Sequence, residues 1–114
     1  MNKFRYKKVT VSPSAWQIWL VYVKYTGDDG GKKRPVLITE VKGDICSVIE
    51  ISSQPPVYAT DIFIADLCSA GLDRDSVIQI RKTRTVKISD LTDYKGILSS
   101  EDRRRVKNVR GLFA

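Results

Sequence analysis

The fold of this chain is decided by the stretch from Trp16 to Val41, which reads WQIWLVYVKYTGDDGGKKRPVLITEV. Its first part, Trp16 to Lys24, is rich in aromatic and β-branched residues, a composition typical of a buried strand. The glycines and aspartates from Thr26 to Gly31 predict an exposed turn, which Lys32 to Pro35 close. Val36 to Val41 is again apolar and predicts a second strand. The first connection is therefore predicted to be an exposed loop between two apolar strands.

Three more strands are predicted on the C-terminal side of these two, and the short turn Lys42-Gly43-Asp44 predicts a hairpin into the first of them. They run over Ile45 to Ser52, Asp61 to Ile64, and Ser76 to Ile88. Gly43 lies in the predicted turn before the first of them, and Gly71 in the turn before the last. Pro55 and Pro56 follow Ser52, and because proline has no N–H to donate to a sheet, they predict a loop there.

One helix is predicted, from Leu98 to Phe113. Ser99 and Ser100 suit its N-cap, two acidic residues follow in the first turn, and Gly111 suits its end. The apolar residues that share one face at helical spacing are Val106, Val109 and Phe113. Several short strands with one terminal helix predict a mainly β domain, either a small antiparallel barrel or a twisted sheet closed by the helix.

The charge of the chain suggests a polyanionic partner. Its 114 residues suffice for one domain, and 20 Lys and Arg against 13 Asp and Glu give a net charge of +7. Such a balance favours nucleic acid ahead of a membrane surface. A basic protein without such a partner fits the charge about as well. Residues 1–15 are themselves basic and end in Ser12-Pro13-Ser14, which predicts an arm ahead of the domain.

The absence of histidine restricts the chemistry. It excludes histidine-based catalysis and histidine metal sites. The two cysteines, Cys46 and Cys68, do not suffice for a zinc centre and suit a reducing compartment as free thiols. No stretch reaches the roughly 18 apolar residues of a membrane span, and no apolar signal core follows the charged start. We expect a cytoplasmic protein that needs neither a cofactor nor a metal ion and does not bind a membrane.

Three motifs occur in an order and spacing that resemble a known family. They are Ile18-Trp19-Leu20-Val21 followed by Lys33-Arg34-Pro35-Val36-Leu37-Ile38, then Ile51-Ser52-Ser53-Gln54, and then Gly71 to Ile78 followed by Arg84-Thr85 and Leu98-Ser99. Taken together they make the chain, from Gln17 to Phe113, similar to the PemK/MazF/Kid toxins of bacterial type II toxin–antitoxin systems. The resemblance implies that residues 16–114 form one small SH3-like barrel that acts as a homodimeric ribonuclease.

The resemblance also implies a reaction and a set of site residues. The toxin would cleave single-stranded messenger RNA without a metal, through attack of a ribose 2′-OH on the adjacent phosphorus. Arg34 and Ser52 would be catalytic, since an arginine fork bonds two phosphoryl oxygens and a hydroxyl assists it. The residues expected to bind RNA are Lys33, Ser53, Gln54, Tyr58, Arg81, Lys82 and Arg84. The expected partners are single-stranded RNA, a second copy of the chain, and an antitoxin with an acidic, disordered tail.

The chain departs from the family pattern at three places. Ser14 to Gln17 replaces an Arg-Gly-Asp/Glu opening, Ser52 replaces a commoner Thr, and Arg81 stands near a position that is Asp in some members. The general base is therefore unassigned. Two other functions stay open: a barrel that binds RNA without cutting it, and a CcdB-type toxin that acts on a protein. The pairing of Arg34 with Ser52 favours the nuclease.

Overall fold

The computed structural model describes residues 11–24 and 30–111. Within these ranges the elements are β1 (Gln17–Lys24), β2 (Gly31–Lys42), β3 (Ile45–Ser52), β4 (Asp61–Phe63), α1 (Leu67–Ala70), β5 (Val77–Lys87), a 3₁₀ turn (Ile88–Asp90), β6 (Leu91–Ile97) and α2 (Ser100–Gly111). Residues 1–10 of the predicted arm, residues 25–29 of the β1–β2 loop, and Phe113 lie outside the described residues.

The strands form one antiparallel sheet in the order β4-β5-β3-β2-β1-β6. The prediction of a mainly β domain with a C-terminal helix is therefore confirmed. In the part that the structure describes, the edge strands β4 and β6 do not pair with each other, so the sheet is open. The closed barrel stays a prediction.

Apolar side chains pack on both faces of the sheet, because successive side chains of a strand point to opposite sides. The first cluster lies under α2 and includes Ile18, Leu37, Ile49, Ile51, Ile78, Leu98 and Val106. The second cluster, on the other face, consists of Trp19, Val21, Val36, Ile38, Cys46 and Val48. Ile88 and Leu91, at the connection from β5 to β6, pack against this second cluster. The continuous apolar runs of the central strands thus supply two cores.

Most predicted strands agree with the structure, but two predictions were wrong. Strands β1, β4 and β5 agree with their predicted bounds to within a residue, and β3 has the predicted bounds. Strand β2 begins at Gly31 instead of Val36, so the segment expected to close the loop is strand, paired with β1. The sequence also missed β6, whose side chains are mostly exposed at the sheet edge.

The predicted N-cap of α2 is confirmed. The hydroxyl oxygen of Ser99 accepts the backbone N–H of Asp102 at 3.1 Å, which satisfies one of the free donors at the helix start. None of the helices in the described part of the chain is both long and apolar enough to cross a membrane.

Gly71 sets the contact between α1 and β6. It ends α1 with a φ of 74°, in the left-handed region, and a Cβ placed on it would overlap the carbonyl oxygen of Lys95. A Cβ on Gly96 would likewise overlap the carbonyl oxygen of Ser69. The two backbones therefore touch directly, which fixes the segment after α1 against the sheet. The sequence predicted a turn at Gly71 but not the helical turn before it.

We predict that Gly71→Ala destabilises the protein more than Gly43→Ala does. Gly43 also has a positive φ, 60°, but nothing lies within 4 Å of a Cβ placed there. Gly43→Ala should therefore lower the free energy of unfolding only by the cost of a left-handed alanine, about 1–2 kcal/mol. Gly71→Ala adds a steric overlap with backbone and should lose roughly 3 kcal/mol or more. Urea unfolding measures the free energy of unfolding of both variants. Equal decreases would show that the backbone of α1 and β6 moves apart at little cost to admit the methyl group.

Asp102 ties α2 to the connection between β4 and α1. Its side chain is wholly buried, and its carboxylate accepts the N–H groups of Ala65 at 3.1 Å and Asp66 at 3.0 Å and pairs with Arg105. Burial by itself raises the pKa of this carboxyl, but these bonds outweigh it and hold the pKa below its ordinary value. The sequence placed Asp102 in the first turn without revealing this buried contact.

We predict that Asp102→Asn removes a part of the stability that depends on pH. A carboxyl whose pKa is lowered by folding contributes stability above its unfolded pKa of about 3.9, and this is lost as pH falls through the folded pKa. At neutral pH the variant should lose about 3 kcal/mol, because the Arg105 charge loses its partner and one of the two backbone N–H groups meets an amide NH2 instead of an oxygen. Below about pH 4 the gap to the parent should narrow.

The matched control is Glu101→Gln, one residue earlier in the same turn. Glu101 is exposed and pairs with Arg104, so its loss should change stability by less than about 1 kcal/mol. Urea unfolding across the acidic range compares the variants. A gap between Asp102→Asn and the parent that stays constant from neutral to acid pH would contradict the assignment.

Candidate functional site

A cavity of about 480 Å³ opens where the start of β2 meets the end of β3. The polar and charged described residues that line it are Lys32, Lys33, Arg34, Ser52, Ser53, Asp73, Arg74, Ser76 and Lys95. Its volume is within the range of a small-ligand site, roughly 300–1,000 Å³. Because five of these residues are cations and one is an acid, the cavity favours an anion.

The pairing of β2 with β3 brings the two predicted catalytic residues together. Val36 lies opposite Glu50 in this antiparallel pair. Arg34 precedes Val36 by two residues and Ser52 follows Glu50 by two residues, so both lie at the same end of this strand pair, and both line the cavity. Arg34 was expected at an exposed junction of loop and strand; it is exposed, but it lies within β2.

Arg34 is available to a ligand. Its side chain makes no hydrogen bond or ion pair with residues 11–24 or 30–111. The neighbouring cation differs: the ammonium of Lys33 lies 3.1 Å from the carboxylate of Asp93. The hydrogen bond from Lys33 lowers the pKa of Asp93, so this carboxyl stays ionised and offsets part of the Lys33 charge. Arg34 is thus the cation of this pair that keeps its donors for an incoming anion.

The hydroxyl of Ser52 forms a local hydrogen bond at the end of β3. Its oxygen accepts the backbone N–H of Gln54 at 3.0 Å, a local turn that serine favours. Within the described residues its hydrogen has no acceptor. Because a hydroxyl both donates and accepts, Ser52 still has a proton to donate toward an oxygen in the cavity.

The other predicted RNA-binding residues form an outer group beyond the cavity. Lys33 and Ser53 line the cavity, whereas Gln54, Tyr58, Arg81, Lys82 and Arg84 do not. All five of the outer residues are exposed, in the β3–β4 loop and along β5. Arg81 stacks on the ring of Tyr58, and Arg84 pairs with Glu50 at 3.3 Å. The structure therefore divides the predicted set into a cavity group and an outer group.

Four charged residues of the cavity were missed by sequence reasoning. Lys32, Asp73, Arg74 and Lys95 line it beside Arg34. Asp73 and Arg74 lie in the third family motif, which was the available signal for them, whereas Lys95 lies on the unpredicted strand β6. Asp73 is the one acid among the described residues that line the cavity, and its carboxylate lies 3.9 Å from the guanidinium of Arg74. No group of three or more His, Cys, Asp or Glu side chains among the described residues is arranged to hold a metal ion.

Three arginines of α2 are bound to acceptors on α2 itself or on adjacent segments of the chain. Arg103 donates to the carbonyl oxygen of Leu98 at 2.8 Å, and Arg104 pairs with Glu101. Arg105 pairs with Asp102 and donates to the carbonyl oxygen of Phe63 at 2.9 Å. None of the three lines the cavity.

Residues 14–109 match the family described as PemK-like, MazF-like toxin of type II toxin-antitoxin system. The chain belongs to this family, as its motifs predicted. The members of the family are toxins known as endoribonucleases, so the predicted class of function is confirmed. No match was found among the curated proteins.

Solved structures share the fold. The MazE-MazF structure from Deinococcus radiodurans matches with a TM-score of 0.72 and 17% identity, over 91% of this chain and 96% of that one. An endoribonuclease from Mycobacterial species, in complex with its cognate antitoxin, matches with a TM-score of 0.71 and 14% identity, over 89% and 93%. Toxin MazF-mt6 of Mycobacterium tuberculosis matches with a TM-score of 0.64 and 21% identity, over 82% and 93%. At these identities the likeness is one of fold.

We predict that the cavity cations bind the phosphates of single-stranded RNA. Lys95→Gln should weaken binding of 2′-O-methyl RNA, which resists cleavage by 2′-OH attack, and reduce the slope of log affinity against log salt by about 0.7. Lys42→Gln is the matched control, since Lys42 is exposed at the far end of β2, outside the cavity. Fluorescence anisotropy between about 50 and 200 mM salt measures both. An affinity that is flat with salt would mean that these charges serve something else.

Proposed function

We propose that this chain is an endoribonuclease that cleaves single-stranded messenger RNA through attack of a ribose 2′-OH on the adjacent phosphorus, without a metal ion. The observation that carries the proposal is that Arg34 and Ser52 line one cationic cavity. Membership in a family of type II toxins supports the same class of reaction. Messenger RNA as substrate places the activity in the cytoplasm.

In this proposal Arg34 stabilises the charge that develops on the phosphorus. As the 2′-oxygen attacks, negative charge builds on the phosphoryl oxygens before the 5′-oxygen leaves. A guanidinium stays cationic and donates two parallel N–H bonds to two such oxygens. The lack of a partner for Arg34 among the described residues supports this role, because no internal ion pair has to break when the phosphate arrives.

Ser52 is the second donor to the phosphoryl group. Its oxygen already accepts the N–H of Gln54, and that bond fixes the orientation of the hydroxyl. The hydroxyl proton of Ser52 is then donated to a phosphoryl oxygen in the cavity. In this role Ser52 is a hydrogen-bond donor and not the nucleophile. Preorganised donors of this kind typically contribute a factor of about 10²–10³ each to the rate.

We also propose that the open sheet curves into a small SH3-like barrel with the second cluster inside. The turn at Ile88 supports this, because its N–H donates to the carbonyl oxygen of Asp44 at 2.9 Å and so joins the β5–β6 connection to the β2–β3 turn. Ile88 and Leu91 at this connection pack on the second cluster. The connection therefore carries the chain across the sheet from one edge region to the other.

The proposal includes two protein partners. A cavity with five cations and one acid would attract the acidic, disordered segment of an antitoxin by the same forces that attract RNA. A second copy of the chain is the other partner, expected from the family resemblance. Light scattering should find a dimer at micromolar concentration, and a monomer there would count against it.

We predict that Arg34 and Ser52 act as a unit. Arg34→Ala should lower single-turnover cleavage of a long RNA in EDTA by at least about 10²-fold, and Ser52→Ala by a similar factor. Ser52→Thr should preserve cleavage because it keeps the hydroxyl. The double variant should be little worse than Arg34→Ala, since residues of one unit are not additive.

Two matched variants control for folding and charge. Arg104→Ala removes an arginine of α2, and Ser47→Ala removes a serine of β3. Both lie outside the cavity and should leave cleavage at the parent rate. Parent-like cleavage by Ser52→Ala would show that the hydroxyl assignment is wrong. A parent that cuts no RNA in any sequence context would replace the nuclease with the RNA-binding module.

A further inference from the structure

Strand β5 is irregular where it passes Glu50. Ile78 pairs with Ile51, and Thr83 pairs with Ile49. Between these pairs β3 has one residue, Glu50, whereas β5 has four, residues 79–82, so three residues of β5 are extra. The hydroxyl of Thr83 donates to the carbonyl oxygen of Ile80 at 3.0 Å across the irregularity. Bulges of this kind redirect side chains and are enriched beside active sites.

The bulge directs Arg81 onto the ring of Tyr58. The Cζ atom of Arg81 lies 3.3 Å from the ring centroid, a close cation–π contact. Arg81 makes no hydrogen bond or ion pair with the residues that the structure describes. Arg84, two residues beyond the bulge, differs because it pairs with Glu50. The guanidinium of Arg81 is therefore held by the ring while its N–H donors remain unused.

Tyr58 is itself held in place. The carboxylate of Asp61 accepts the backbone N–H groups of Val57 at 2.9 Å and Tyr58 at 3.1 Å. The N–H of Asp61 in turn donates to the carbonyl oxygen of Tyr58 at 2.9 Å. The same loop begins at Ser53, which lines the cavity. The backbone that carries Tyr58 is thus anchored, and Tyr58, whose ring contacts Arg81, lies six residues along the chain from Ser52.

We propose that Arg81, held on Tyr58, reads a guanine base of the RNA close to the scissile phosphate. This inference rests on the proposed function. Guanine presents two adjacent acceptors, O6 and N7, that match the arginine fork, whereas adenine presents a donor beside its N7. In single-stranded RNA this edge of the base is open to a side chain. A fork already oriented by stacking loses little freedom when it forms both bonds.

A phosphate contact explains these observations less well. A phosphate can be bound by an ammonium as well as by an arginine fork, and the exposed Lys82 beside Arg81 supplies an ammonium without any orienting ring. The ring of Tyr58 instead restrains the guanidinium of Arg81, and a restrained fork matters for reading a base edge. The two roles differ in outcome, because phosphate contacts weaken all sequences alike and base contacts do not.

Binding of short 2′-O-methyl RNAs tests the inference without cleavage. Guanine is placed at each position in turn and compared with 7-deazaguanine, which lacks the N7 acceptor. With the parent protein, one position should lose about tenfold in affinity on this replacement. Arg81→Lys should abolish that difference, since an ammonium keeps the charge but lacks the fork. Tyr58→Phe should retain the difference, and Tyr58→Ala should lose most of it.

Lys82→Gln is the matched loss of one charge in the same bulge, and it should weaken every RNA by the same factor while leaving the 7-deazaguanine effect intact. No position sensitive to 7-deazaguanine in the parent, or a uniform loss with Arg81→Lys, would overturn the inference. A guanine-sensitive position in a protein that cuts no RNA would leave the inference standing and overturn the proposed catalysis instead.

Discussion

The antiparallel pairing of β2 with β3 is the interaction on which the site depends. Its register, with Val36 opposite Glu50, places Arg34 and Ser52 at the same end of the strand pair, where both line the cavity. A slip of one residue would turn every side chain of β2 to the other face and separate the two residues. The register is enforced from both sides, because Leu37 packs in the first cluster and Val36 in the second. The two cores therefore determine the geometry of the cationic cavity.

The rest of the cavity is positioned by the close backbone contact at Gly71 and by the buried side chain of Asp102. Gly71 lets α1 meet β6 backbone to backbone, which brings Asp73 and Arg74 to the cavity from one side and Lys95 from the other. The buried Asp102 holds α2 against the connection that precedes α1. These contacts act first on stability. The exposed cations of the cavity have the opposite character, since they stabilise little and are the residues proposed to bind the anion.

Local patterns predicted the elements whose residues carry their own signal, and missed those set by distant pairing. Strand β3 and the start of α2 are bounded by prolines, a turn glycine and a serine cap. The start of β2 is polar and contains Pro35, which is typical of a loop, and only its pairing with β1 makes it strand. Strand β6 is an exposed edge without apolar alternation. Lys95 was therefore not placed in the predicted site, whereas Arg34 and Ser52 were predicted from the family motifs.

The central claim is that a ribose 2′-OH attacks the phosphorus in a cavity built around Arg34 and Ser52. The most direct measurement uses an RNA that the protein cuts at one position, with a single 2′-deoxy substitution at the nucleotide on the 5′ side of that position. In EDTA we expect cleavage of the 2′-deoxy RNA at that position to disappear while its binding is retained. Cleavage of the unsubstituted RNA should yield a 2′,3′-cyclic phosphate. Cleavage of the 2′-deoxy substrate at the same position and rate would contradict the account.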